Sequence, residues 1–119
     1  MYSNQKTYVA PAGHKGRGVF ANKKLRKNEV IEISPYIELP AKEFNRLSGT
    51  TIESYRFGVY GNKCALGLGN LSIYNHDSKP NAQIYVDADT RTLTVQALKT
   101  IDKQEEITIH YGYKVQTTA

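Results

Sequence analysis

The chain has 119 residues, 39% hydrophobic and 23% charged, which is the size and composition of one folded globular domain and excludes an intrinsically disordered chain. No apolar run approaches the ~18 residues of a membrane span, the polar stretch from Met1 to Lys6 shows no secretory signal, and a single cysteine, Cys64, excludes an internal disulfide and a cysteine-built zinc site. The net charge of +5 is uneven: seven of the sixteen bases and none of the eleven acids lie in residues 1–28, a segment that suits nucleic acid, the carboxylate or phosphate of a cofactor, or simply solvent.

In chain order, the first marked feature is Lys15 to Ala21, where Gly16 and Gly18 precede an apolar strand. Without a Cβ, backbone at such positions can pass close to a ligand, although most such pairs are simply tight turns. No third glycine or helix follows, so the dinucleotide fingerprint is absent, as is the phosphate-binding Gly-Lys-Ser/Thr loop. Val30 to Ile33 and Tyr36 to Leu39 predict two strands broken by Pro35. Pro40 opens a short helix over Ala41 to Leu47, ending near Gly49. Thr51 to Tyr60 is rich in β-branched and aromatic residues and predicts extended chain. A turn over Leu71 to Tyr74 leads into Asn75-His76 and then Pro80-Asn81.

Gln83 to Asp87 predicts a strand, and residues 87–91 a hairpin connection into Thr92 to Leu98. That last segment alternates cleanly, with Leu93, Val95 and Ala97 on one face, the period of a strand with one buried side. Glu106 to Tyr111 alternates again and places Ile107, Ile109 and Tyr111 together. Residues 115–119 are mostly polar and predict a frayed end.

Few side chains announce chemistry by themselves. Asn75 and His76 both donate and accept hydrogen bonds, which suits a polar ligand or a backbone-satisfied turn equally. His14, His76 and His110 lack metal-ligand spacing, so no metal site is expected, and His110 reads as structural. Most of the nine tyrosines read as strand packing, but Tyr111 and Tyr113 flank Gly112 at a strand end, where two hydroxyls reach one pocket. No Ser–His–Asp or Cys–His order stands out, and no carboxylates are paired for acid–base work.

Taken together, Lys15–Ala21, Tyr55-Arg56-Phe57, Leu66–Tyr74, Asn75-His76 with Pro80-Asn81, and Glu105–Tyr113 resemble, in order and at compatible spacing, the SET-domain family of protein-lysine methyltransferases. The resemblance implies a mainly β, β-clip-like fold of small curled sheets with one or two short helices. It also implies a C-terminal pseudoknot formed where the Asn75-His76 segment crosses the last strand. One SET domain over residues 1–119 is expected, with a catalytic core of about 6–114 and none of the cysteine-rich zinc segments that flank many nuclear members.

The implied cofactor is S-adenosyl-L-methionine. Gly16 and Gly18 would border it with their backbone, Lys15 or Arg17 would meet its carboxylate, and Asn75 and His76 would hold its amino-acid and adenine parts. Tyr111 matches the family's catalytic tyrosine. Tyr55 and Tyr113 match tyrosines of the substrate-lysine channel, and Ile109, where several members have an aromatic residue, is the expected regulator of how many methyls fit. The expected partner is a protein or peptide with a target lysine in a basic, histone-like tail, with Glu38, Glu43 and Glu53 near the substrate face. A homodimer is one way to supply missing peptide-binding surface.

The insert at residues 40–54 is short, as in minimal stand-alone bacterial and viral members. A cytoplasmic location is therefore expected, or a host nucleus for a viral or symbiont protein, and no membrane. Asp77 departs from the serine or cysteine usual after Asn-His. Two rival readings are a catalytically silent SET-like module that binds peptide or cofactor, and a nucleic-acid-binding β-domain. The second leaves the ordered motifs unexplained.

Overall fold

The computed structural model describes residues 5–59, 63–110 and 116–117. Among them ten strands are found: β1 (Thr7–Pro11), β2 (Arg17–Ala21), β3 (Val30–Leu39), β4 (Arg56–Gly58), β5 (Cys64–Gly67), β6 (Asn75–His76), β7 (Ala82–Asp87), β8 (Thr92–Ala97), β9 (Glu106–Ile109) and β10 (Gln116–Thr117). They form two sheets, one in the order β1-β2-β9-β6 and the other in the order β10-β7-β8-β3-β5-β4. Helix is limited to one turn of α-helix, Ala41–Phe44, and three short 3₁₀ segments. The fold is mainly β, as the sequence implied, and no helix among the described residues is long and apolar enough to cross a membrane.

The second sheet is built around a hairpin. β7 and β8 pair antiparallel from Ala82↔Ala97 to Asp87↔Thr92, so Ile84 and Val86 lie on the same face as Leu93, Val95 and Ala97. All five are buried, Leu93 and Val95 completely. Full burial of each large aliphatic side chain stabilises by roughly 1.5–3 kcal/mol. The turn closes locally: Asp87 Oδ1 accepts from Asp89 N at 3.0 Å and from Thr90 N at 3.3 Å, and Arg91 takes φ 54°. A short aspartate side chain that mimics the backbone acceptor is a common way to stop a strand and reverse it.

β3 corrects one expectation. The chain does not break at Pro35 but runs as one strand through ten residues. Residues up to Pro35 pair with β8, ending at Pro35↔Thr92, while Tyr36 to Leu39 pair with β5, beginning at Tyr36↔Gly67. The proline sits where the strand exchanges partners, so its missing N–H interrupts neither ladder.

A second correction concerns residues 51–60. Thr51–Tyr55 is a 3₁₀ segment, and among the described residues of this stretch only Arg56–Gly58 is strand. Local bonds outweigh β propensity in this exposed stretch: Glu53 Oε1 accepts from Gly49 N at 3.0 Å, and Glu53 N donates to Thr50 O at 3.2 Å.

The two sheets share one core. Val19 of β2 and Ile107 of β9, both 0% exposed, pack with Leu25 and Ile101, which bridge two connecting segments through reciprocal backbone bonds of 2.8 and 2.9 Å. β6 lies parallel to β9, with Asn75 opposite Thr108 and His76 opposite Ile109. β10 returns parallel to β7. Residues 111–115, where the expected pseudoknot would complete itself, lie outside the described residues.

Candidate active site

Sheet order brings distant motifs together. β2 pairs antiparallel with one edge of β9 and β6 pairs parallel with the other, so Asn75 meets Arg17 across 58 residues. Asn75 Nδ2 donates to Arg17 O at 2.8 Å and to Glu106 Oε2 at 2.7 Å. Both amide hydrogens are thereby committed, which leaves Oδ1 as the acceptor available to a ligand. Lys15 Nζ reaches the other carboxylate oxygen, Glu106 Oε1, at 2.5 Å.

The strand that carries Glu106 is itself clamped. Buried Asn81 donates Nδ2 to Glu106 O at 2.8 Å and accepts from Thr108 N at 2.8 Å. Asp77 N donates to Ile109 O at 2.9 Å. Asp77 Oδ1 also accepts from Lys79 N at 2.9 Å, closing its own turn where the family more often has serine or cysteine.

The two glycines have different tasks. A Cβ on Gly18 would fall 2.5 Å from Glu106 Oε2 and 3.1 Å from Asn75 Nδ2, so this glycine makes room for the network. Gly16 has φ 83° and ψ −117°, a region that side chains with a Cβ rarely adopt, and a Cβ there would meet nothing within 4 Å. Its own N–H and C=O are spent on the local turn, donating to Gly13 O at 3.3 Å and accepting from Ala12 N at 2.7 Å.

Beside this network lies a cleft of about 380 Å³. Lys15 and Arg17 supply one charged wall. Ile52 and Tyr55 of the 3₁₀ segment join Leu66, Leu68, Ser72 and Ile73 in an otherwise largely apolar lining. Gly67 is required here too, since a Cβ would collide with Leu71 at 2.5 Å. Apolar walls ending in two bases suit a ligand with a flat organic part and a carboxylate.

Of the residues singled out from sequence, Lys15, Arg17 and Tyr55 share the cleft lining. Gly16, Gly18 and Asn75 stand alongside it, on and around β2. His76 is exposed, and its ring meets His110 edge-on with centroids 4.7 Å apart. Ile109 is buried in the core at 2% exposure, backbone-paired with His76. Tyr111 and Tyr113 lie outside the described residues.

The roles of three further residues escaped the sequence reading. Glu106 ties Lys15 to Asn75, Asn81 clamps β9, and buried Glu32 accepts from the Tyr74 hydroxyl at 2.7 Å. The Tyr74 phenol is held well above its ordinary pKa, first by burial and then by the Glu32 carboxylate beside it. The one available signal was an acid within a strongly apolar strand, at positions 32 and 106 alike.

The SET domain family matches residues 16–112 of the chain. The chain belongs to the SET-domain family. It is similar to a histone-lysine N-methyltransferase, H3 lysine-37 specific, from Schizosaccharomyces pombe, at 33% identity over 99 residues, which is 82% of this chain and 67% of that relative. It is also similar to the crystal structure of a candidate histone methyltransferase from Plasmodium falciparum, with a TM-score of 0.74 and 32% identity over 91% of this chain and 98% of the other. This SET domain is a protein-lysine methyltransferase, of a family that uses S-adenosylmethionine, and its substrate is a protein.

Proposed function

We propose that this SET domain methylates the ε-amine of lysines in basic protein tails, with S-adenosylmethionine held beside β2 and β6 and along the cleft. The single observation that carries the placement is the Asn75 amide, locked between Arg17 O and Glu106 Oε2 beside Gly18. The fit to this cofactor has three parts. The missing Cβ at Gly16 leaves room for close approach. Asn75 Oδ1 is oriented to accept from an ammonium. Lys15 is paired with Glu106, so Arg17 is the base that meets a carboxylate, while Ile52, Leu66, Leu68 and Ile73 give apolar contact to a purine.

When bound, the cofactor supplies a methyl group activated by a sulfonium. The residues of the chain bind, orient and exclude water. A free lysine is almost wholly protonated near neutral pH, and neutralising it at pH 7.5 costs about 4 kcal/mol. Confinement in a narrow channel lowers that cost, because burial disfavours the ammonium. Tyr55 and Tyr113 are assigned to the walls of that channel, and Ile109, aliphatic where several members are aromatic, to leaving room for more than one methyl. The Tyr111 hydroxyl is assigned to hold the neutral amine with its lone pair directed along the transfer axis. Alignment of the reacting atoms at about 3 Å is the main catalytic contribution of such a site.

The preference for basic tails draws support from the Schizosaccharomyces pombe relative, described as acting on histone H3. Of the acids expected near the substrate face, Glu38 is paired with Lys63 at 3.3 Å and with Arg91 at 4.0 Å, and Glu53 holds Gly49 N. Glu43 is exposed and is the acid best placed to attract a basic peptide.

Calorimetry with S-adenosylhomocysteine followed by labelled-methyl transfer to basic peptides tests the assignment. Binding with transfer is expected. Binding without transfer would mark a silent cofactor-binding module, and neither would remove the cofactor from this cleft.

A further inference from the structure

Glu32 is a buried carboxylate that no described basic side chain neutralises. A bulge in β3 accounts for its burial. Pairing with β8 shifts between Val30 and Glu32, so Ile31 and Glu32 both turn inward, at 2% and 8% exposure. Three donors satisfy the carboxylate. Tyr74 OH donates to Oε1 at 2.7 Å, Asn70 N to Oε2 at 2.9 Å, and Ser34 Oγ to Oε2 at 2.6 Å.

Two of these donors belong to one segment, residues 68–74, which is 38 to 42 positions away in sequence at its points of contact. The segment lies directly on the carboxylate. Gly69 has φ 60°, and a Cβ on it would fall 2.6 Å from Glu32 Oε2 and 2.5 Å from Ser34 Oγ. A well-packed apolar side chain at such a site is generally as stabilising as a buried charge. What the carboxylate adds is direction: it accepts only where N–H and O–H groups are presented, so it selects one placement of the segment over others that bury equal surface.

That placement matters to the cleft. Leu68, Ser72 and Ile73 line it, and Tyr74 immediately precedes Asn75. We propose that Glu32 is the positioning residue of the cofactor site, fixing the 68–74 segment through Asn70 N and Tyr74 OH so that the cleft wall and Asn75 are set before the cofactor arrives. This rests on the assignment of the cleft to the cofactor. Glu32 touches neither cofactor nor substrate in that assignment and acts through the segment alone.

The test compares two affinities in Glu32→Gln and Tyr74→Phe. Glutamine preserves shape but replaces one acceptor oxygen by a donor, and phenylalanine removes only the hydroxyl. In each variant the Kd for S-adenosylhomocysteine, read by calorimetry, is expected to rise about tenfold, the usual scale of a lost hydrogen bond to a charged group. The KM for a lysine peptide at saturating cofactor is expected to stay within twofold. Cofactor Kd within twofold of the parent in both variants overturns the proposal. So does a parallel rise of cofactor Kd and peptide KM, the signature of a merely structural residue. If neither variant folds, hydrogen exchange on the unaltered protein decides: slower exchange of the Asn70 amide on adding S-adenosylhomocysteine supports the coupling, and an unchanged rate overturns it. An unaltered protein that binds no S-adenosylhomocysteine would instead refute the assignment of the cleft.

Discussion

Lys15 and Glu106 are separated by 91 residues, yet Lys15 Nζ lies 2.5 Å from Glu106 Oε1 while Glu106 Oε2 accepts from Asn75 Nδ2 at 2.7 Å. One carboxylate therefore joins the basic N-terminal segment to β6. The Lys15 side chain is 34% exposed, so its attraction to Glu106 is screened and contributes little to stability, on the order of 1 kcal/mol at most. The effect of Glu106 falls on orientation instead: it determines which end of the Asn75 amide is left for a ligand.

Glu106→Ala is accordingly expected to weaken cofactor binding more than it weakens the fold. One Asn75 N–H loses its partner, and the amide is then held by Arg17 O alone. The Kd for S-adenosylhomocysteine should rise about tenfold, with the denaturation midpoint shifting little. Calorimetry beside a urea titration measures both, and an unchanged Kd would remove Glu106 from the site.

Gly18→Ala and Gly16→Ala should part company. The first drives a methyl into Glu106 and Asn75 at 2.5 and 3.1 Å, so cofactor affinity should fall by tenfold or more. The second meets open space and carries mainly the strain of φ 83° with ψ −117°, on the order of 1–3 kcal/mol of stability. Its effect on binding reports how closely a ligand approaches that backbone. Equal cofactor affinity in Gly18→Ala and the parent would contradict the crowding described.

The fold was more legible than the site. The β7–β8 hairpin follows from period-two alternation and an aspartate turn, both local signals, and residues 41–47 form a short helical stretch at the place Pro40 indicated. Pro35 misled because sequence does not show that β3 changes partners there. Residues 51–55 misled because Glu53 and Thr50 make local bonds that composition does not reveal. Lys15, Arg17 and Tyr55, which family order singled out, line one cleft, and Asn75 bonds to Arg17 O beside it. Glu32 and Glu106 were not legible, because their meaning comes from partners 31 to 91 residues away and, for Glu32, from a bulge that reverses its facing.

Tyr74 gives the fold a specific alkaline signature. Its folded pKa is raised above that of the unfolded chain, by burial first and the Glu32 carboxylate second. The stabilisation this reflects is complete below the ordinary phenol value near 10 and is lost as pH rises above it, because only the unfolded chain then releases the proton. Stability measured by urea denaturation should fall with pH in that range, and Tyr74→Phe should flatten the slope. An equal slope in both proteins would place the alkaline loss elsewhere.

The most direct measurement is methyl transfer from labelled S-adenosylmethionine to a basic lysine peptide by the parent protein and by Tyr111→Phe, with cofactor affinity measured on both. Transfer by the parent, turnover reduced a hundredfold or more in Tyr111→Phe, on the general scale of a group that positions the reacting atoms, and equal cofactor Kd are the predicted result. A parent that binds the cofactor yet labels no lysine in any basic substrate, or a Tyr111→Phe variant with undiminished turnover, would contradict it.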